Sequence, residues 1–561
     1  MIERELDRLI REAIQASFSE LAIDRVPDEI EVTRPRAREH GDFATNVALA
    51  LAKEAGRSPR EVAEILARHL PESEHVTKVE VAGPGFINFF VTHSWLYGVL
   101  AEIRSSGEGY GRLQVELPEH VQVEFVSTNP TGPLHVGHAR NAAVGDALAR
   151  VLETAGHRVS REYYVNDAGT QAALFAASVE ARYLELFGRD ASIPEGGYGG
   201  EYVKELAAKL AESHGEEPLN MPEEERRELL GREGMRLALE GIRTSLERFG
   251  VRHDSWFHES SLHREGKVEQ AITLLRERDL AYEHEGAVWF RSTRFGDEKD
   301  RVLLRANGEP TYFAADCAYL REKFGRGFDR LIYVWGADHH GTVKRLRGAV
   351  EAFGYDVALV EFILTQLVAL YRDGEPARMS KRTGDIVTLD ELLDEVGPDA
   401  ARFTLLSRSI DTALDFDIEL VKRQSLDNPV YYVQYAHARI ASLLRYASEQ
   451  GTSMVPFRQV RPEELVHETE LELLRVLAEL TEQVRVAAEL RAPYRLTRYA
   501  EEVAAQFHRF YTECRVVTDD EALTQARLHL SAATRQVLAN VLGILGVSAP
   551  ESMERLGEEK E

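Results

Sequence analysis

The chain has 561 residues, 44% hydrophobic and 29% charged, which supplies several cores and three or four domains of about 100–200 residues each. A formal net charge of −26 argues against a general polyanion binder, although local basic patches can still serve one specific RNA. Cys317 and Cys514 offer neither a disulfide framework nor a zinc cluster, the start Ile2-Glu3-Arg4-Glu5 is too charged for a signal peptide, and no apolar run reaches the ~18 residues of a membrane span; a cytoplasmic protein without a structural metal is expected.

Leu6, Leu9, Ile10, Ala13, Ile14 and Phe18 recur at helical spacing and predict an opening amphipathic helix. A compact α/β segment follows, ending in the apolar run Phe86-Ile87-Asn88-Phe89-Phe90-Val91, and the glycines from Gly107 to Gly111 read as a linker. Val121 to Val126 is a strand by its β-branched content. A loop with Pro130, Gly132 and Pro133 comes next, then an alanine-rich helix from about His138 to Ala155, so this stretch is a nucleotide-binding βα unit. Tyr163-Tyr164-Val165 is a second strand. The helical, charged text from about 172 to 290 reads as an insertion between two halves of one sheet, with strands returning at Ala287 to Phe290 and Leu331 to Trp335. From about 410 the pattern is helical almost to the end.

Two short motifs carry the chemistry. His135-Val136-Gly137-His138 opens the helix of the βα unit, with two imidazoles on one face, a glycine where a flat base can approach, and a helix N-terminus for phosphate. Far downstream, Arg378-Met379-Ser380-Lys381-Arg382-Thr383-Gly384 is a cationic loop able to close over a triphosphate. Each has a plainer reading, as a turn with surface histidines and as an exposed basic loop. Gly336-Ala337-Asp338-His339-His340-Gly341 follows a predicted strand and should face the same crevice, or be a turn capped by Asp338. Glu124 is a carboxylate inside an apolar strand. It serves a cationic ligand or a buried ion pair with a chain arginine. Tyr312 and Asp316 lie four apart on one helix face, as a ligand contact or an ordinary surface pair.

In this order, the first two motifs resemble the "HIGH" and "KMSKS" signatures of class I aminoacyl-tRNA synthetases. Val123-Glu124-Phe125 with Ser127 and Asn129, Tyr312 with Asp316, Tyr163 to Gly169, and Asn428 to Arg439 resemble arginyl-tRNA synthetases of the bacterial type, nearly end to end. The resemblance implies an α/β chain: a Rossmann-like parallel-sheet catalytic domain (113–410), an N-terminal α/β domain (1–112) that reads the tRNA D-loop, and a C-terminal all-helical anticodon-binding bundle (411–561).

It further implies ATP, with Mg²⁺ carried by ATP and pyrophosphate, and L-arginine and tRNA(Arg) as partners of a monomer. His135, His138 and Lys381 would be catalytic. ATP would be held by His135, Gly137, His138, Gly336, Asp338, His339, Met379, Ser380 and Lys381. Glu124, Tyr312 and Asp316 would hold the guanidinium, with Ser127, Asn129 and His340 completing the arginine site. Phe86, Asn88, Tyr431, Tyr435 and Arg439 would touch tRNA, and bound tRNA would be needed even for adenylate formation. The second signature departs from the family pattern in having Arg378 and Arg382 at its ends, which leaves Lys381 its one lysine. A polar guanidinium can be discriminated by about 10⁴–10⁵-fold without proofreading, so no editing domain is expected. The rivals are an adenylate-forming enzyme for a small metabolite and a non-catalytic tRNA-binding paralogue.

Overall fold

Leu6, Leu9, Ile10, Ala13 and Ile14 fall on one face of the helix Ile2–Ala16 and are buried there, as their spacing requires. The computed structural model describes residues 2–35, 37–376 and 387–553. Two compact units emerge, one made of 1–107, 444–478 and 506–536, the other of 108–443, 479–505 and 537–561.

In the first unit an antiparallel sheet is built from β1 (Val32–Thr33), β2 (Phe43–Thr45), β3 (Val76–Ala82) and β4 (Phe86–Val91), in the order β1-β2-β4-β3. The apolar run seen in the sequence is therefore an interior strand. The helix His93–Ser106 packs beside the later helix Glu468–Leu477. There the Tyr97 hydroxyl donates to the Leu465 carbonyl at 3.0 Å, and Arg475 pairs with Asp42 at 3.2 Å.

The second unit holds a parallel sheet of β5 (His120–Phe125), β6 (Arg158–Val165), β7 (Ser255–His258), β11 (Arg330–Gly336) and β12 (Val360–Thr365), in the order β12-β11-β5-β6-β7. The chain leaves β5 in one direction through β6 and β7, then returns to the other side for β11 and β12. The strand order reverses between β5 and β11, and open α/β sheets bind ligands outside the carboxyl ends of strands at such a reversal.

Three expectations are corrected. The stretch 172–290 is not wholly an insertion, because it contains β7; with four residues and polar ends, Ser-Trp-Phe-His lacks a strand period. Ala287–Phe290 belongs not to the parallel sheet but to an antiparallel one, between β8 (Ala281–His284) and β10 (Arg301–Leu304), and is β9. Beyond 410 a strand intervenes, since β13 (Val368–Arg372) pairs with β14 (Glu375–Pro376) on one side and with β15 (Leu414–Asp417) on the other. The stretch 107–111, read as a linker, does fall where the chain passes from the first unit to the second, after Gly107; Tyr110 in it is buried, and Gly111, at φ +93°, lies so near Leu480 that a Cβ would come within 2.7 Å of it.

The helix Val136–Thr154 is fixed from behind. Its Asp146, almost without exposure, meets the buried Arg402 guanidinium and also Arg150 at 2.7 Å and Arg161 at 3.5 Å. Burial would raise the Asp146 carboxyl, but these guanidinium groups, Arg402 foremost, hold it below its ordinary value. Arg402 also donates to the carbonyls of Leu545 at 2.5 Å and Phe249 at 3.4 Å, so one side chain ties three distant segments to the back of this helix.

Candidate active site

After β5 the backbone turns through two left-handed residues, Val126 (φ +68°) and Ser127 (φ +40°). That conformation is costly, above all for β-branched valine, and persists only where the surroundings over-determine it. Asn141, on the following helix and 6% exposed, supplies this restraint. Its Oδ1 accepts from Val126 N–H at 2.6 Å and its Nδ2 donates to the Val334 carbonyl of β11 at 2.9 Å. Ser127 Oγ accepts from Tyr164 N–H at 3.1 Å, so this expected arginine contact is engaged in holding β6. Asn129 stays half-buried in the loop.

The loop ends at His135, the N-cap of the helix Val136–Thr154. Its Nδ1 accepts from Gly137 N–H at 3.1 Å, while His138 Nδ1 accepts from His135 N–H at 3.2 Å. The rings stack with centroids 3.6 Å apart. With each Nδ1 accepting, the proton of each neutral ring sits on Nε2, as a hydrogen-bond donor turned away from the cap. A Cβ on Gly137 would lie 3.0 Å from the His135 ring, so glycine here serves the ring's position. Thr388 forms a β-bridge with His135, and Leu389 N–H donates to the Leu134 carbonyl at 2.8 Å. The segment leaving the cationic loop is thus anchored on the first motif. Arg378, Met379, Ser380, Lys381 and Arg382 lie outside the described residues.

Beside it, β11 ends at Gly336, followed by the turn Ala337–His339 and the helix His340–Ala352. Phe125 and Val334 are register partners, so the two loops leave the sheet at neighbouring strand ends. Asp338, His339 and His340 are exposed, and His339 lies 5.5 Å from the Trp335 ring. Asp338 caps neither helical segment: the N-caps are Gly336 and His339, without a side-chain hydrogen bond. A Cβ on Gly336 would come within 2.5 Å of Asp338 Oδ1, the end of an exposed side chain that can turn aside.

The acids gather on one side of this sheet. Glu124 is 4% exposed, and its Oε2 accepts from Lys323 Nζ at 2.5 Å; the partner is thus a lysine and not the arginine allowed for. Asp316 and Lys323 lie two turns apart on one face of the helix Tyr312–Gly325. Asp316 makes no hydrogen bond or ion pair among the described residues. Burial first, then the charges of Glu259 and Glu124, push its carboxyl up to about 7, against the opposing pull of Arg345 and Lys323. Glu259, 4% exposed at the start of the short helix Glu259–Arg264, is raised as well, chiefly by burial. Burial and the nearby charges of Glu259 and Asp316 hold the Tyr164 hydroxyl well above its usual value. Tyr312 is 47% exposed, its hydroxyl near Gly169.

Glu259, Tyr164, Lys323 and Asn141 were not anticipated from the sequence. Only Lys323 left a signal, a lysine seven residues from Asp316 on an otherwise buried helix face.

The expected RNA contacts divide by exposure. Phe86 is 40% exposed at the edge of β4 and is not core, whereas Asn88, two residues on in the strand between β2 and β3, is 4% exposed. Tyr431 is buried, while Tyr435 and Arg439 are half-buried. The three form a ladder along one helix face, with rings 6.0 Å apart and the guanidinium 5.8 Å from the Tyr435 centroid.

The chain matches three family models. They are the arginyl tRNA synthetase N terminal domain (residues 5–91), the catalytic domain of class I (R) tRNA synthetases (102–196 and 228–414) and the DALR anticodon binding domain (433–553). It is 50% identical over 549 residues to the arginine--tRNA ligase of Desulfitobacterium hafniense, covering 97% of this chain and 98% of that one. To the Carboxydothermus hydrogenoformans arginine--tRNA ligase it is 51% identical over 545 residues, 97% of each. The solved Thermus thermophilus arginyl-tRNA synthetase superimposes with a TM-score of 0.77 at 26% identity, over 99% of this chain and 100% of that one.

Proposed function

This chain belongs to the arginyl-tRNA synthetase family and ligates arginine to tRNA at the expense of ATP, and from that premise we propose how its residues divide the work. The three functional modules are 1–112, 113–410 and 411–561. Arginine's guanidinium lies between Glu124 and Asp316 with Tyr312 as a lid, and Asn129, Ser127 and His340 border its α-carbon end. Gly336, Asp338 and His339 hold the ribose and adenine, while Gly137 gives the base close approach. His135, His138 and the loop residues Met379, Ser380 and Lys381 meet the phosphates, and Mg²⁺ arrives with ATP.

A carboxylate oxygen of arginine attacks the α-phosphorus in line. The bond to the β-phosphate's bridging oxygen breaks, and Mg²⁺-pyrophosphate departs. The Nε2–H groups of the stacked histidines and the Lys381 ammonium offset the charge that builds on the phosphate oxygens. The 2′-hydroxyl of the terminal adenosine then attacks the carbonyl carbon of the adenylate, and AMP leaves. Phe86, Asn88, Tyr431, Tyr435 and Arg439 hold tRNA, which the first step also needs, and the enzyme works as a cytoplasmic monomer.

One observation carries this assignment: Asp316, a half-buried carboxylate with no hydrogen bond or ion pair among the described residues, faces the neighbourhood of Glu124 beside the sheet's reversal point. Such a group gains most from a planar cation with paired donors. Asp316→Asn should raise the KM for arginine about 100-fold, roughly the 2–3 kcal/mol of a charge-assisted hydrogen bond, while the KM for ATP stays within about twofold. An unchanged arginine KM would remove Asp316 from the pocket. ATP–pyrophosphate exchange at full rate without tRNA would refute the tRNA requirement.

A further inference from the structure

Glu124 and Glu162 are neighbours across β5 and β6 with contrasting surroundings. Glu162 is saturated. Its Oε1 accepts from Gln122 at 2.6 Å, Tyr319 at 2.5 Å and Arg326 at 2.8 Å, and its Oε2 accepts from Arg326 at 2.5 Å. Glu124 gives only Oε2 to Lys323, and Oε1 accepts no hydrogen bond among the described residues. The Lys323 ammonium, without exposure, lies over the ring faces of Tyr333 at 3.7 Å and Tyr319 at 4.3 Å. Two aromatic faces and one carboxylate oxygen hold it in a single position.

Resting on the arginine pocket proposed above, we propose that Lys323 is a positioning residue for that pocket: by binding one oxygen of Glu124 it fixes this carboxylate so that the other oxygen meets the guanidinium. The contrast with Glu162 supports this, since both oxygens of that carboxylate are filled while Glu124 keeps one open. A lysine held by ring faces and one oxygen provides the charge without filling the second.

The test compares full-length enzymes in aminoacylation, reading kcat and the KM for L-arginine and for ATP. Lys323→Met should raise the arginine KM about tenfold, with kcat and the KM for ATP unmoved. Lys323→Arg should rescue most of it. Glu124→Gln should raise the arginine KM at least as much, and adding Lys323→Met to it should cost nothing further. A Lys323→Met defect shared equally by the KM for ATP, or additive with Glu124→Gln, overturns the proposal. Should Lys323→Met fail to fold, the double variant, which removes both charges together, is compared with Glu124→Gln alone: equal arginine KM supports the role and a further rise overturns it. If Glu124→Gln and Asp316→Asn both leave the arginine KM at the wild-type value, the pocket reading fails and this proposal with it. If they raise it while Lys323→Met does not, only the role of Lys323 is lost.

Discussion

A carboxyl whose value lies near neutrality makes ligand binding a proton-linked event. In the free protein Asp316 is pushed up to about 7, so near neutral pH a large part of the population carries its proton. A guanidinium favours the ionised form, so binding arginine expels that proton, and arginine affinity should fall as pH drops through 7, by at most about tenfold per unit. Calorimetric titration in buffers of different ionisation enthalpy should register proton release at pH 6.5 and almost none at pH 8.5; Asp316→Asn should abolish the difference. The stability linkage has the opposite sense. Because the folded value exceeds the ordinary 3.8, the stabilisation from the protonated group is complete below 3.8 and is lost as pH rises through 7. The sequence showed that Glu124 needed a partner, since a carboxylate in an apolar strand cannot stand alone. It could not identify Lys323, which lies 199 residues away and is brought close only by the packing of the helix on the sheet.

The unit from β5 through the helix Val136–Thr154 was legible because two periods, a loop and a motif agreed on it. Its strained turn was not, because left-handed Val126 is held by an asparagine fifteen residues on, outside any local signal. The two glycines of this helix should therefore respond differently to alanine. At Gly145 a Cβ would sit 2.2 Å from the Phe125 ring, with backbone on one side and sheet on the other, so Gly145→Ala should cost about 1–3 kcal/mol and lower Tm. At Gly137 the same atom would meet only the edge of the His135 ring at 3.0 Å, which can give by a few tenths of an ångström. Gly137→Ala should leave Tm nearly unchanged while reducing kcat through the displaced imidazole. Equal losses of Tm and kcat in the two variants would contradict this division. β7 shows the opposite case: a strand of four residues is recognisable only by its neighbour β6, because nothing in its own pattern separates it from the helical text around it.

Linear domain edges drawn on the sequence predict that residues 1–110 can be removed to test their part in tRNA binding. The contacts argue otherwise. Residues 1–107 form one compact unit with 444–478 and 506–536, joined by the Tyr97 bond to Leu465, the Arg475–Asp42 pair and the donation of Arg34 Nη1 to the Arg475 carbonyl at 3.2 Å. Deletion would expose the buried faces of Glu468–Leu477, where Leu471, Leu473, Leu474 and Leu477 are apolar, and would perturb the helical region together with any tRNA contact. The net charge of −26 adds a second reason for a finer test, because tRNA must be gripped at a few local places instead of over a basic surface. Phe86 offers that test: it is 40% exposed, so replacing its ring by a methyl group removes a stacking surface and little core. Phe86→Ala should raise the KM for tRNA about tenfold, the ~1–3 kcal/mol of one base–aromatic stack, and leave Tm and the KM for arginine unchanged. The deletion should instead lower Tm and raise both Michaelis constants. If Phe86→Ala is silent while the deletion raises only the KM for tRNA, the stack lies elsewhere on this unit.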